Sequence, residues 1–130
     1  MYDLLIIGAG PAGLSAAVYG RRAGLNLAVI EQTPMSGGQV LNTYEVDNYL
    51  GMPGINGFDL GTKFREHAQK MGAVFLREKV TAIHDQGQSK TVETASGTAY
   101  EAKSLILATG AEHALLQVPG EQELKGRGVS

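Results

Sequence analysis

Three glycines, at positions 8, 10 and 13, constrain this chain more than any other feature. They follow an apolar run, Leu4-Leu5-Ile6-Ile7, and precede a stretch to Arg22 with alanines and leucines at helical spacing. The order is strand, tight turn, helix, which opens a dinucleotide-binding βαβ unit. Gly8 lets the chain turn sharply off the strand. Gly10, without a Cβ, lets a pyrophosphate approach the backbone, and Gly13 lets the helix pack close to the strand. Pro11 fits the helix start, where a missing N–H costs little. The free N–H groups of the first turn and the helix dipole then face the phosphates. Alone, G-x-G-x-x-G is a weak signal. Here an acid follows at the right distance: Glu31, 18 residues past Gly13, ends a second apolar run, Leu25 to Ile30. A carboxylate there can accept both ribose hydroxyls.

The 130 residues suffice for one domain with its own core. With 11 Lys plus Arg against 13 Asp plus Glu, the net charge is −2, which gives no electrostatic case for nucleic acid or an anionic membrane. The N-terminus lacks the basic region of a signal peptide, and no apolar run approaches the ~20 residues of a membrane helix. The expectation is a soluble, cytoplasmic protein. There are no cysteines, so these residues supply no disulfide, thiolate nucleophile or thiol metal site. His67, His84 and His113 show no ligand spacing, and no metal is expected. His67 reads as a solvated residue on a helix and His84 as the end of a strand.

Gly24 is the stop signal of the first helix, whose last turn carries Arg21 and Arg22. Leu25–Ile30 reads as a buried parallel strand. Past Glu31 the pattern loosens into a loop toward a short helix that Ser36 can cap. Gly37-Gly38 marks an unusual backbone or a close approach by a ligand. Residues 44–54 are irregular, and a loop of that length is usually functional. Residues 57–71 form the clearest later helix, with Phe58, Leu60, Phe64, His67 and Met71 near helical spacing, and Gly72 ends it. Residues 73–76 read as a third parallel strand. Residues 79–85, 90–95 and 98–101 read as three short antiparallel strands, and 103–108 as an apolar strand running into Thr109-Gly110. The tail from Val118 reads as a linker. A plain NAD dehydrogenase would continue with alternating strands and helices. A meander after the third strand instead favours the glutathione-reductase type of FAD-binding domain. The expected fold class is therefore α/β, a three-layer ββα, Rossmann-like FAD/NAD(P)-binding domain. Its parallel sheet carries an inserted three-stranded antiparallel meander.

Along its whole length the chain resembles the low-molecular-weight thioredoxin reductases. The resemblance rests on Gly8 to Ala17, Gly37-Gly38-Gln39, Glu45-Val46-Asp47-Asn48-Tyr49, Ala108-Thr109-Gly110-Ala111, Val118-Pro119-Gly120-Glu121 and the run Lys125 to Ser130. It implies an FAD enzyme that passes electrons from NADPH to a disulfide and on to thioredoxin, working as a homodimer. Carried over by position, Gly8, Gly10, Pro11, Ala12 and Gly13 would hold the pyrophosphate, and Glu31, with Gln32 beside it, the adenosine ribose. Gly38, Gln39 and Asn48 would line the flavin side, where Gln39 and Asn48 can match the polar edge of an isoalloxazine. Val80 would meet adenine through its backbone, and Ala108, Thr109 and Gly110 would close over the phosphates. Residues 1–112 would be the N-terminal part of the FAD-binding domain, and 113–130 a linker toward an NADPH and redox domain.

Departures from that pattern bear on activity. The family's Cys-x-x-Cys, its nicotinamide domain and its final stretch, which returns to the flavin, are not among these 130 residues. No residue is therefore assigned as catalytic, and FAD binding by the isolated chain is expected to be weak. Leu50 stands where the family usually has proline, which leaves the loop looser. Ala114 stands where arginine is common. Competing readings are a ferredoxin-dependent relative, the flavoprotein of an alkyl hydroperoxide reductase, a non-catalytic nucleotide-binding module completed by another chain, and an NAD-binding Rossmann domain.

Overall fold

A computed structural model describes residues 1–112 and 114–128; His113, the third histidine, lies outside the described residues. Strand β1 (Tyr2–Ile7) leads through the glycine turn into helix α1 (Pro11–Arg22), and β2 (Leu27–Glu31) follows. After a 3₁₀ turn (Gly38–Asn42) come α2 (Gly57–Lys70), β3 (Val74–Arg77), β4 (Val80–Asp85), β5 (Lys90–Thr94) and β6 (Ala99–Leu107). A one-turn helix, α3 (Glu121–Leu124), closes the described chain. All six strands join one sheet in the order β3-β2-β1-β6-β5-β4. Pairing is parallel among β3, β2, β1 and β6, and antiparallel from β6 through β5 to β4.

The apolar run of β1 is uninterrupted because both of its faces are covered. Side chains alternate along a strand, so Leu4 and Ile6 join Leu27 and Val29 against Leu14 and Ala17 of α1 and Ala68 of α2. Leu5 and Ile7 join Ala28 and Ile30 on the opposite face, against Val92 of β5 and Ala102 of β6. Each fully buried Leu, Ile or Val among these contributes about 1.5–3 kcal/mol by leaving water, and each alanine less. The meander thus folds over the face opposite the helices, which gives the expected three layers.

Several details differ from the sequence reading. The strands expected at 98–101 and 103–108 are one strand, β6. Ala99–Ala102 pair antiparallel with β5, and Ala102–Leu107 run parallel to β1. Glu101-Ala102-Lys103 contains no turn residue, so nothing interrupts the extended chain. Gly37, not Ser36, occupies the cap position of the 3₁₀ turn, and Ser36 is buried with its hydroxyl turned to Arg65. On α2 the inward face is Gly57, Leu60, Gly61 and Ala68, with Phe58 exposed; His67 is exposed as expected. The helix starts at a cap the sequence reading missed: the Asn56 side chain accepts the Asp59 N–H at 2.8 Å. Gly24 and Gly72, both at positive φ, stand just past the C-caps of α1 and α2, where stop signals were expected. Within the tail, the Glu121 carboxylate accepts the N–H groups of Leu116 and Gln117 at 2.7 and 2.8 Å, so that stretch has local order.

Candidate nucleotide-binding site

Three backbone segments converge at the C-terminal ends of the parallel strands, where open α/β sheets bind ligands. Gly8, at φ +107°, donates its N–H to Ile30 at 2.9 Å, and Ala108 donates to Ile7 at 2.8 Å. A Cβ on Gly8 would lie 2.1 Å from the Ala108 carbonyl oxygen, and one on Gly13 only 1.9 Å from the Gly8 carbonyl oxygen. These two glycines close the packing of strand, helix and the exit of β6. Gly10 is different. Its backbone is extended (φ −76°, ψ −176°), and the nearest atom to a Cβ there would be the Gly38 Cα, at 3.8 Å. Gly10 caps α1 without any side-chain hydrogen bond, so the first turn of the helix offers uncapped N–H groups at this turn.

Glu31, the last residue of β2, turns its carboxylate onto the same turn. Oε2 accepts the Ala9 N–H at 2.9 Å and Oε1 the Thr33 N–H at 3.1 Å. Beside it opens a cleft of about 320 Å³, whose lining includes Gly8, Glu31, Gln32, Glu78, Val80 and Thr109. No Lys or Arg lines this cleft among the described residues. The Glu78 carboxylate accepts the Ser96 hydroxyl at 3.0 Å and the Tyr100 phenol at 3.4 Å. Burial raises the phenol pKa of Tyr100, and the negative charge of Glu78 raises it further.

Across the turn, Gly37 donates its N–H to the Ala9 carbonyl at 2.8 Å, which seats Gly38 opposite Gly10. Past Gly38 the surface divides into two adjoining clefts that share Thr43. One, of about 410 Å³, places Asn48 with Pro11, Val40 and Val46. The other, of about 540 Å³, holds Gln39, Asn42, Ala111 and Lys125, and the Gln39 amide donates to the Ala111 carbonyl across it. The 44–54 loop is tied down by Val46 N–H to Ile55 at 2.8 Å and Gly54 N–H to Val46 at 3.0 Å. Tyr49 also packs edge-on against Phe64, with ring centroids 5.3 Å apart. Leu50, where proline was noted in the family, is 98% exposed and makes no part of these ties.

The structure therefore gathers Gly8, Glu31, Gln32, Val80 and Thr109 around one cleft, with Ala108 packed on Gly8. Gly10, Pro11 and Gly38 meet at the turn, and Gln39 and Asn48 face separate, adjoining clefts. Ala12 is exposed in the first turn of α1, and Gly110 is exposed at φ +72°. Sequence reasoning missed Glu78, Ile83 and Leu107 in the first cleft and Val40, Thr43 and Val46 in the second. Ile83 shares a face with Val80 because the β4–β5 register shifts between Val80 and Ala82. A bulge of that kind breaks the alternation that would have located it. Among the described residues no cluster of His, Asp and Glu could hold a metal ion.

Comparison with known proteins identifies the family and the fold. Residues 2–130 match the family described as pyridine nucleotide-disulphide oxidoreductase. All of the chain aligns with the thioredoxin reductase of Listeria monocytogenes at 47% identity and with that of Bacillus subtilis at 46%. It spans 40% of the length of each, so it corresponds to well under half of these relatives. Among solved structures, Lactococcus lactis thioredoxin reductase superposes over the whole chain with a TM-score of 0.88 at 41% identity, over 42% of its own length. Thioredoxin reductase from T. acidophilum gives 0.84 at 37%, over 98% of this chain and 41% of its own. The glycine turn, the acid that closes β2 and the match across residues 2–130 place this chain in the pyridine nucleotide-disulphide oxidoreductase family, with the thioredoxin reductases as its relatives.

Proposed function

We propose that the chain is the FAD-binding part of a thioredoxin reductase-like flavoprotein, in which electrons pass from NADPH through FAD to a disulfide and on to thioredoxin. One observation carries the reading. The Glu31 carboxylate reaches the N–H of Ala9 at 2.9 Å, inside the glycine turn, whose Gly10 starts α1 with no side chain of its own and meets the Gly38 backbone. A sugar acceptor and the uncapped start of α1 thus lie side by side, and the bare Gly10 leaves the turn open to a pyrophosphate.

Each residue then has a defined task. Uncapped N–H groups at the start of α1 bind the pyrophosphate. Glu31 accepts from the adenosine ribose, and the backbone near Val80 lines the adenine cleft. Asn48, with Val40, Thr43 and Val46, and Gln39 beside them offer polar and apolar surface to the flavin ring. FAD, when bound, supplies the two-electron chemistry. The chain's residues orient it and exclude water. None of the 130 residues is a cysteine, so the dithiol of the reaction comes from outside them. Residues 1–112 are assigned to FAD binding and 113–130 to the connection toward the NADPH and redox region. The thioredoxin reductase relatives support thioredoxin as the acceptor.

The test is direct. The polypeptide is purified as its native source makes it and examined for intact mass, flavin absorbance and NADPH-dependent reduction of thioredoxin. One FAD per chain and turnover are expected from a species more than twice 13.7 kDa, while the 130-residue chain alone binds FAD weakly. A native polypeptide with no affinity for FAD overturns the reading.

A further inference from the structure

Gly37 and Gly38 stand opposite Gly10 and so border the path proposed for the pyrophosphate, yet neither has a side chain to fix its place. The preceding residue and α2 supply the hold. Ser36 is 5% exposed, and its hydroxyl accepts Nη1 of Arg65 at 2.7 Å. The Arg65 guanidinium lies 4.1 Å from the ring centroid of Phe75 on β3, a cation–π contact that fixes its plane. Among the described residues no carboxylate forms an ion pair with Arg65. Its specific polar partner is therefore the loop. One turn earlier on α2, Gly61 touches the same segment: a Cβ there would lie 2.8 Å from the Ser36 carbonyl oxygen and 3.1 Å from the Gly37 Cα. On its far side the segment is tied to the glycine turn by Gly37 N–H to the Ala9 carbonyl. Gly37 and Gly38, at φ +130° and +59°, are conformationally free residues, so their place is set by these contacts and not by their own backbone preference.

We infer that Arg65 is a positioning residue: stacked on Phe75, it holds Ser36 and thereby seats the Gly37–Gly38 backbone against the Gly10 turn, on which the pyrophosphate would bind. The inference rests on the FAD reading above. Arg65 touches no ligand; it acts through the loop.

The test uses Arg65→Met, which keeps the stem over Phe75 but removes the donor, and Ser36→Ala, which removes the acceptor. Both are made in the polypeptide as its native source makes it, and FAD, ADP and adenosine are titrated into the protein freed of bound flavin. Each single variant is expected to bind FAD and ADP roughly tenfold more weakly, the loss of one charge-assisted hydrogen bond. Adenosine, which has no pyrophosphate, should bind unchanged. The double variant should be no weaker than either single, because both remove the same contact. Arg65→Lys, with a donor but no planar fork, should recover part of the affinity. Equal losses for adenosine and ADP, or additive losses in the double variant, would overturn the positioning role in favour of general destabilisation. Unchanged FAD and ADP affinity in both singles would overturn it outright, while leaving FAD binding by the parent intact. A parent that binds no FAD removes the FAD reading and this inference together. Ser36→Ala deletes a single oxygen, so it decides the matter should Arg65→Met fail to fold.

Discussion

Gly10 and Gly13 belong to one motif, yet the structure assigns them opposite sensitivities. A Cβ on Gly13 would sit 1.9 Å from the Gly8 carbonyl oxygen and 3.4 Å from Ile6 Cγ2. The Gly8 backbone cannot retreat, because its N–H is bonded to Ile30 and its Cα lies against Ala108. Relief to an ordinary contact near 3.5 Å would require α1 to lift about 1.5 Å off β1, loosening Leu14 and Ala17 from the core. Overpacking against rigid backbone costs about 3 kcal/mol. At an unfolding entropy of ~0.27 kcal/mol per degree for a 130-residue chain, Gly13→Ala should lower Tm by roughly 11 °C. Gly10→Ala should leave Tm within about 2 °C, since its backbone is extended and the nearest atom is 3.8 Å away. On the proposed FAD reading, the same methyl would keep the pyrophosphate off the turn and weaken FAD at least tenfold. Circular dichroism melts of the ligand-free protein, paired with FAD titration, read both effects. If Gly13→Ala melts with the parent, or if Gly10→Ala loses stability but keeps FAD, the division between a packing glycine and a ligand glycine is wrong.

Three further outcomes follow from single contacts. Glu31→Ala removes the acceptor shared by Ala9 and Thr33 and, on the proposed reading, the partner of the ribose; FAD affinity measured by calorimetry should fall by about 1–3 kcal/mol, and no change would refute the ribose role. Asn56→Ala deletes the cap of α2 and should cost about 1 kcal/mol in urea unfolding, with an unaltered midpoint arguing against that helix start. Asp3 accepts Lys103 Nζ at 2.7 Å and the Asn26 N–H at 2.9 Å, which hold its carboxyl below its ordinary 3.8, the Lys103 bond most strongly. A folded-state pKa below the unfolded value gives stability that is present above about 3.8 and lost as pH falls through the lower value. The stability gap between parent and Asp3→Asn should therefore be constant from pH 7 to about 5 and close below pH 4; a gap that widens in acid would refute the assignment.

The sequence carried the first βαβ unit almost completely, because each signal there is local. An apolar run, glycines at fixed spacing and an acid at the end of the next strand each specify one backbone event within a few residues. Legibility failed where the chain's behaviour depends on contacts made at long range. Nothing within Glu101-Ala102-Lys103 says that one strand serves two partners; that follows only once β1 and β5 are both in place on either side of Ala102. The inward face of α2 was misread by one apolar pattern. Phe58 fits the period, yet the helix turns Gly57 and Gly61 toward its neighbours because only glycine admits the Val40 and Ser36 carbonyls so closely. A hydrophobicity count gives glycine no weight, so close approach of backbones is invisible to it. The site divides on the same line. Gly8, Gly10, Gly13 and Glu31 announce themselves by spacing. Ile83 lines its cleft because a bulge in β4 turns it to the Val80 face, Glu78 because its N–H is bonded to Glu31, and Thr43 because the N–H of Gly57 binds its carbonyl. Ser36 makes the point most sharply. Its residue type and place before a short helix argue for a cap, but Arg65, 29 residues away, reaches the hydroxyl and draws it inward instead. A charged, stacked donor offers that oxygen a stronger bond than a backbone N–H at an exposed helix end, and the loop that borders the phosphate turn takes its shape from that competition.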